Sequence, residues 1–230
     1  MSQADDPAED PADEGAPGNG VRPVAVEIAP PGLPILRGQR WGDAPDVLFL
    51  HAPGEDRDLN DWQELPALVA TETGGSLALD LPGHGLSDDG EDEADPTALL
   101  AALLETPEGA SIRAVVAAGD MAGDLLAAGP SLGLAGLVCF SASGPAVEEP
   151  AALPRSPRLP KLLLARSGGN SAELKQAREV SRAVAGWAVV VGVGGPDGGA
   201  ALLDGPSAGP VRDHVAGFLR ESLGRGTQEP

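Results

Sequence analysis

The feature that most constrains this chain is an alternation of short, unbroken apolar runs with stretches of helical periodicity. Val47-Leu48-Phe49-Leu50 is too short for a helix and lies between Pro45 and Pro53. Leu77-Ala78-Leu79-Asp80-Leu81 ends at Pro82, and comparable runs fall at 112–118, 136–140, 161–165 and 187–193. Runs of this length without polar alternation fit strands buried on both faces of a parallel sheet. Residues 61–70, 96–105, 121–128, 171–185 and 208–223 read as helices, with Pro96 at a helix start and Leu174, Ala177 and Val180 at helical spacing. Strand–helix alternation at this interval requires right-handed crossovers, hence a doubly wound, mostly parallel α/β sheet. Residues 24–29 and 35–41, separated by Pro30-Pro31-Gly32, predict an antiparallel pair at the leading edge.

Charge divides the chain. Residues 1–20 hold six acids and no base, which predicts a disordered tail that cannot offset its ordering entropy. A second acidic block, 88–95, holds six more; removing both from the net charge of −20 leaves a body near −8. The expected organisation is an acidic tail over 1–20, one domain over 21–223 and a short tail over 224–230. The acidic balance argues against nucleic acid and anionic membrane surfaces as partners. A single cysteine excludes an internal disulfide. No apolar run reaches the ~20 residues of a membrane span, and the acidic start lacks a signal peptide's basic and apolar regions. A soluble, cytoplasmic protein is the expectation.

Three segments carry more than periodicity. Residues 47–54 run from an apolar strand into His51-Ala52-Pro53-Gly54. Residues 79–88 read Leu-Asp-Leu-Pro-Gly-His-Gly-Leu-Ser-Asp. Residues 115–123 run from a strand through Ala118-Gly119-Asp120-Met121-Ala122-Gly123 into a helix. Their order and spacing resemble the α/β-hydrolase family, the second segment being close to that family's D-x-P-G-H-G-x-S turn. The resemblance covers roughly residues 22–223. It implies a nucleophile on a strained strand-to-helix elbow, a histidine base, an acid that orients it and two backbone N–H groups for an oxyanion.

This chain departs from that pattern at each position. Two frames of the elbow are open. One places Met121 in the nucleophile slot. The other, aligned with the G-H-S-M-G-G form, places Asp120 there and is preferred because Asp tolerates a strained backbone better than Met. An Asp there resembles the haloalkane dehalogenase and epoxide hydrolase branches, whose ester intermediate still needs a histidine to activate water. By resemblance Asp197 occupies the histidine position after the last strand, and Asn170 the acid position. Substituting a carboxylate for an imidazole removes most of the base's proton affinity at neutral pH. If Asp120 and Asp197 approach each other they would share a proton.

The remaining candidates have bland readings. His51 resembles the oxyanion-loop histidine, a structural role, with a displaced catalytic group as the alternative; Ala52 and Met121 would supply the oxyanion N–H groups. His84 matches a loop-bracing histidine, and His214 a surface position on the last helix. Ser141, Ser143 and Ser167 read as turn formers and Cys139 as an inert buried thiol. Only about twenty residues, five of them proline, separate Phe140 from the next strand, so a lid is minimal or absent. The sequence therefore predicts an α/β-hydrolase-like domain with a substituted triad, non-hydrolytic, binding a small-molecule ligand or a protein partner, a homodimer among them, with no cofactor and no metal. The alternative is an active hydrolase using Asp120 on an ester, epoxide or haloalkane.

Overall fold

Successive residues of the central strands feed two different cores. Leu48, Leu50, Leu77, Leu79, Val115, Ala117, Cys139 and Leu163 face one side; Val47, Phe49, Ala78, Val116, Val138, Phe140, Leu162 and Leu164 face the other. That two-sided burial is why these strands lack a polar face. A computed structural model of the chain describes residues 21–90, 95–168, 171–195 and 197–225. Both the 1–20 tail and Asn170 lie outside that set.

Eight strands form one sheet in the order β1-β2-β4-β3-β5-β6-β7-β8. They are β1 (Val24–Ile28), β2 (Leu36–Trp41), β3 (Val47–Leu50), β4 (Ser76–Leu79), β5 (Ala114–Ala118), β6 (Gly136–Phe140), β7 (Lys161–Arg166) and β8 (Ala188–Val193). β1 pairs antiparallel with β2 and β2 antiparallel with β4, and the other pairings are parallel. Helices α2 (Pro96–Leu104), α3 (Gly119–Ala128) and α5 (Ala172–Ala183) bury Leu99, Leu103, Leu125 and Val180 in the first core. Helices α1 (Leu65–Glu72) and α6 (Ala208–Arg225) bury Leu65, Val69, Val215 and Leu219 in the second. α6 runs two residues past the expected domain end at 223, and residues 61–64 belong to a 3₁₀ turn (Leu59–Trp62) and its exit rather than to α1. Trp62 on that turn is fully buried edge-on to Phe49 and Phe140, with ring centroids 5.5 and 5.3 Å apart.

Between β6 and β7 the chain makes only the four-residue α4 (Pro145–Glu148) and a 3₁₀ turn (Pro150–Ala152). Each begins on a proline, tolerated in a first helical turn where no N–H is needed. Among the described residues no larger insertion covers the carboxyl ends of the strands. No helix among the described residues is long and apolar enough to cross a membrane.

Candidate functional site

The loops following β3, β4 and β5 meet above the sheet, and the 80–88 loop is held by its own motif. Asp80 is buried at 2% exposure; its Oδ1 accepts from the Leu59 N–H at 2.8 Å and its Oδ2 from the Leu86 N–H at 3.0 Å. Gly85 sits at φ +51°, where a Cβ would fall 2.2 Å from Asp80 Oδ2, so the carboxylate fits only over glycine. Ser87 Oγ donates to the Asp80 carbonyl at 2.8 Å and accepts from the Arg37 N–H at 2.8 Å, tying the loop to β2. The Asp, Gly and Ser of this motif build a loop.

The two histidines complete it. His51 is fully buried: its Nδ1 donates to the Ala52 carbonyl at 2.8 Å and its Nε2 accepts from the Leu81 N–H at 3.0 Å. His84 repeats the arrangement in reverse, with Nδ1 on the Pro82 carbonyl at 2.9 Å and Nε2 accepting from the Gly54 N–H at 3.1 Å. Each loop thus offers an imidazole to the backbone of the other, and the rings lie 5.1 Å apart. An Nε2 that accepts from a backbone N–H fixes the Nδ1–H tautomer and leaves no lone pair for proton abstraction. Burial pushes His51 below the ordinary imidazole range, against the opposing effect of its bond to Ala52. The displaced-base alternative for His51 finds no support in this geometry. His214, exposed on α6, points its Nδ1 at the Pro210 carbonyl, 2.9 Å away.

The elbow between β5 and α3 turns at neither residue the sequence frames proposed. Gly119 carries the left-handed backbone, φ +59°; Asp120 and Met121 already belong to α3 and have negative φ. A Cβ built on Gly119 would point at Ala52 Cβ, 3.0 Å away, and at Ser143 Oγ, 3.8 Å away. Asp120, one residue on, is exposed in the first turn of α3, where the helix dipole favours a carboxylate. Its Oδ1 accepts from Ser143 Oγ at 2.5 Å, while the Ser143 N–H donates to the Gly119 carbonyl at 3.1 Å. Met121 is buried at 4% exposure.

A cleft of about 1020 Å³ opens here, lined by residues that follow β3, β4 and β5, among them Gly54, His84, Asp120 and Met121. Asp197 is exposed on the loop after β8 and is not part of that lining, so the structure does not bring it to Asp120 as a shared-proton pair. Ser141 is occupied elsewhere: at φ +48° its Oγ donates to Glu173 Oε1 at 2.5 Å and accepts from the Gly199 N–H at 2.6 Å. Cys139 is buried in β6, and burial pushes its thiol well above the usual range. Among the described residues no group of three His, Cys, Asp or Glu side chains could hold a metal ion. Sequence reasoning missed Gly119 as the turning residue and Ser143 as the partner of Asp120. A glycine at a strand–helix junction was the available signal for the first; the second, across 23 residues, had none.

No family model matches this chain, and no curated protein matches it by sequence. Solved structures do match. A predicted CIB-like hydrolase from Thermoplasma acidophilum superposes at a TM-score of 0.68 with 15% identity over 87% of this chain and 99% of its own. A dienelactone hydrolase from Anabaena variabilis gives 0.66 with 18% identity over 89% and 97%. A haloalkane dehalogenase loop variant from Bradyrhizobium elkanii gives 0.64 with 16% identity over 90% and 99%. The chain has the α/β-hydrolase fold. Its sheet order, antiparallel leading edge and β5–α3 elbow are that fold's frame, and identities this low speak to frame rather than chemistry. Within the α/β-hydrolase fold, the elbow residue with φ above zero is glycine here.

Proposed function

We propose that this α/β-hydrolase-fold protein is non-hydrolytic and binds a small ligand in the cleft beyond the carboxyl ends of β3, β4 and β5. The observation that carries the reading is Gly119: the one residue of the elbow with a left-handed backbone has no side chain with which to attack. Three further facts support it. The imidazoles of His51 and His84 use each ring nitrogen on backbone groups. Asp197 stands outside the cleft, and the third histidine is on α6. A positioned general base contributes about 10²–10⁴-fold to such reactions, and neither imidazole of these loops has a ring nitrogen left over to serve as one. The cleft itself lies where ligands bind in open α/β sheets.

One observation favours a second reading, an Asp120 nucleophile: that carboxylate is exposed in the cleft, on the first turn of α3. A carboxylate could form an ester unaided, but the ester would persist without an activated water. A single assay separates the two. Wild type and Asp120→Ala are incubated with p-nitrophenyl esters, epoxides and haloalkanes, following product release and, by intact-protein mass, covalent adducts. The expected result is no turnover and no adduct in either protein. Turnover by wild type that Asp120→Ala abolishes would overturn the proposal.

A further inference from the structure

Positive charge is confined to one part of this acidic chain. Residues 155–182 hold seven of the fifteen basic residues and two acids, leaving eight bases and thirty-three acids for everything else. Two of the seven are engaged within the fold: Lys161 is buried on three backbone carbonyls, and Arg166 faces Glu173. The other five, Arg155, Arg158, Lys175, Arg178 and Arg182, are exposed.

They share one surface. Lys175, Arg178 and Arg182 recur at helical spacing along the outer side of α5, opposite the Val180 that enters the core. The 155–158 turn packs on the C-terminal end of that helix. There the Ser156 N–H donates to the Val184 carbonyl at 2.7 Å, and Lys161 Nζ ties the Ser156 and Ala185 carbonyls together. Arg155 and Arg158 therefore lie at the end of α5 that carries Arg182. Among the described residues these two arginines, Arg178 and Arg182 form no salt bridge, and Lys175 meets Glu179 at 3.9 Å. Arg178 and Arg182 stand four residues apart, a spacing at which like charges oppose the helix. A counter-charge from outside the face relieves that repulsion.

The chain carries such a counter-charge. Residues 1–20 hold Asp5, Asp6, Glu9, Asp10, Asp13 and Glu14 and no base. Val21 leads into β1 at one edge of the sheet, whereas α5 lies against β8 at the other, with Leu174 over Gly192. Seven strand spacings separate those edges, roughly 34 Å. Asp10 is eleven residues before Val21 and Asp6 fifteen, spans of up to roughly 38 and 52 Å, enough to cross the sheet and round its edge. A nucleic acid would run past the patch onto acidic surface that repels it. A second copy of the domain would bring the same basic face.

We propose that residues 1–20 of the same chain dock on the arginine face formed by α5 and the 155–158 turn. The tether makes the contact intramolecular and therefore independent of protein concentration. It does not depend on what the cleft binds.

The experiment exploits Lys175, the one lysine of the chain besides the buried Lys161. A carbodiimide condenses a carboxylate with an amine to an amide, taking up the water to become a urea. The full-length chain is treated at low micromolar concentration, the monomer isolated and its tryptic peptides mapped by mass. The expected product joins Lys175 to a carboxylate within residues 1–20. Its yield falls at least about fivefold between about 0.01 M salt, where charges act over roughly 30 Å, and about 1 M, where they act over roughly 3 Å. It falls similarly in Arg155→Gln/Arg158→Gln/Arg178→Gln/Arg182→Gln, which keeps Lys175 and is shown to be folded by circular dichroism. Coupling of Lys175 to Glu179, 3.9 Å away, reports that the reagent has acted. Coupling to Glu179 without the tail overturns the proposal, as does a tail cross-link confined to dimers, which makes the occupant a second copy's tail. A tail cross-link that neither salt nor loss of the arginines reduces is a product of the tether alone and overturns it as well.

Discussion

His51→Leu is the most informative single change, because it separates a structural imidazole from a catalytic one. Leucine is close in volume, so the packing loss is small, but it offers no acceptor to the Leu81 N–H and no donor to the Ala52 carbonyl. Leu81 is buried, so its orphaned N–H costs about 1–3 kcal/mol; Ala52 is half-buried, and its carbonyl recovers part of its bond from water at about 0.5–1 kcal/mol. The expected destabilisation at pH 7.5 is about 1.5–4 kcal/mol, read by urea unfolding with tryptophan fluorescence. The pH dependence then follows. Burial holds folded His51 below its ordinary pKa, so on acidification the unfolded chain takes up the proton first, near ~6.5. His51 therefore contributes stability above that pH, and the contribution fades as pH falls toward the folded value. The gap between wild type and His51→Leu should shrink from pH 7.5 to pH 5. A gap under about 0.5 kcal/mol at pH 7.5, or one that widens in acid, would refute the assignment of both ring nitrogens.

Gly119→Ala should destabilise by about 1–2 kcal/mol from the left-handed backbone alone, whereas Asp120→Ala, exposed and already helical, should lose under about 1 kcal/mol in the same urea assay. Trp62→Ala should cost about 3–5 kcal/mol by opening a cavity between Phe49 and Phe140, measured as a shift in the denaturation midpoint. Lys161 is buried at the start of β7 with Nζ donating to the carbonyls of Ser156, Leu159 and Ala185 at 2.8, 2.6 and 3.3 Å, and burial brings its ammonium down to about 8. Between that value and the unfolded ~10.5 the unfolded state binds the extra proton, so stability should rise with pH in thermal melts, a slope that Lys161→Met should lack.

The strands were legible because burial on both faces leaves a local mark: Val47–Leu50 and Gly136–Phe140 are bounded as the apolar runs alone indicate. The loop motif at 80–88 was legible because its parts act within a few residues of one another. The elbow frame was not. Aligning letters with G-x-S-x-G weighs side-chain identity, whereas the turn is decided by which backbone can reach φ +59°, and that favours Gly119 over Asp120. The ring partners of His51 and His84 were hidden for another reason: each accepts from a backbone N–H thirty residues away, and backbone groups carry no sequence signature. The same holds for Asp197, whose distance from the cleft depends on the path of the loop after β8.

The crossed imidazoles have a consequence for recognition. With each loop fastened to the other's main chain, one wall of the cleft acquires its shape when the protein folds, independent of any guest. Association then spends little of its free energy on freezing loops, and selectivity rests on how well a molecule matches a rigid mould. Acid would undo that rigidity from inside: a proton on the Nε2 of His51 would set two N–H groups against each other at Leu81 and loosen that wall.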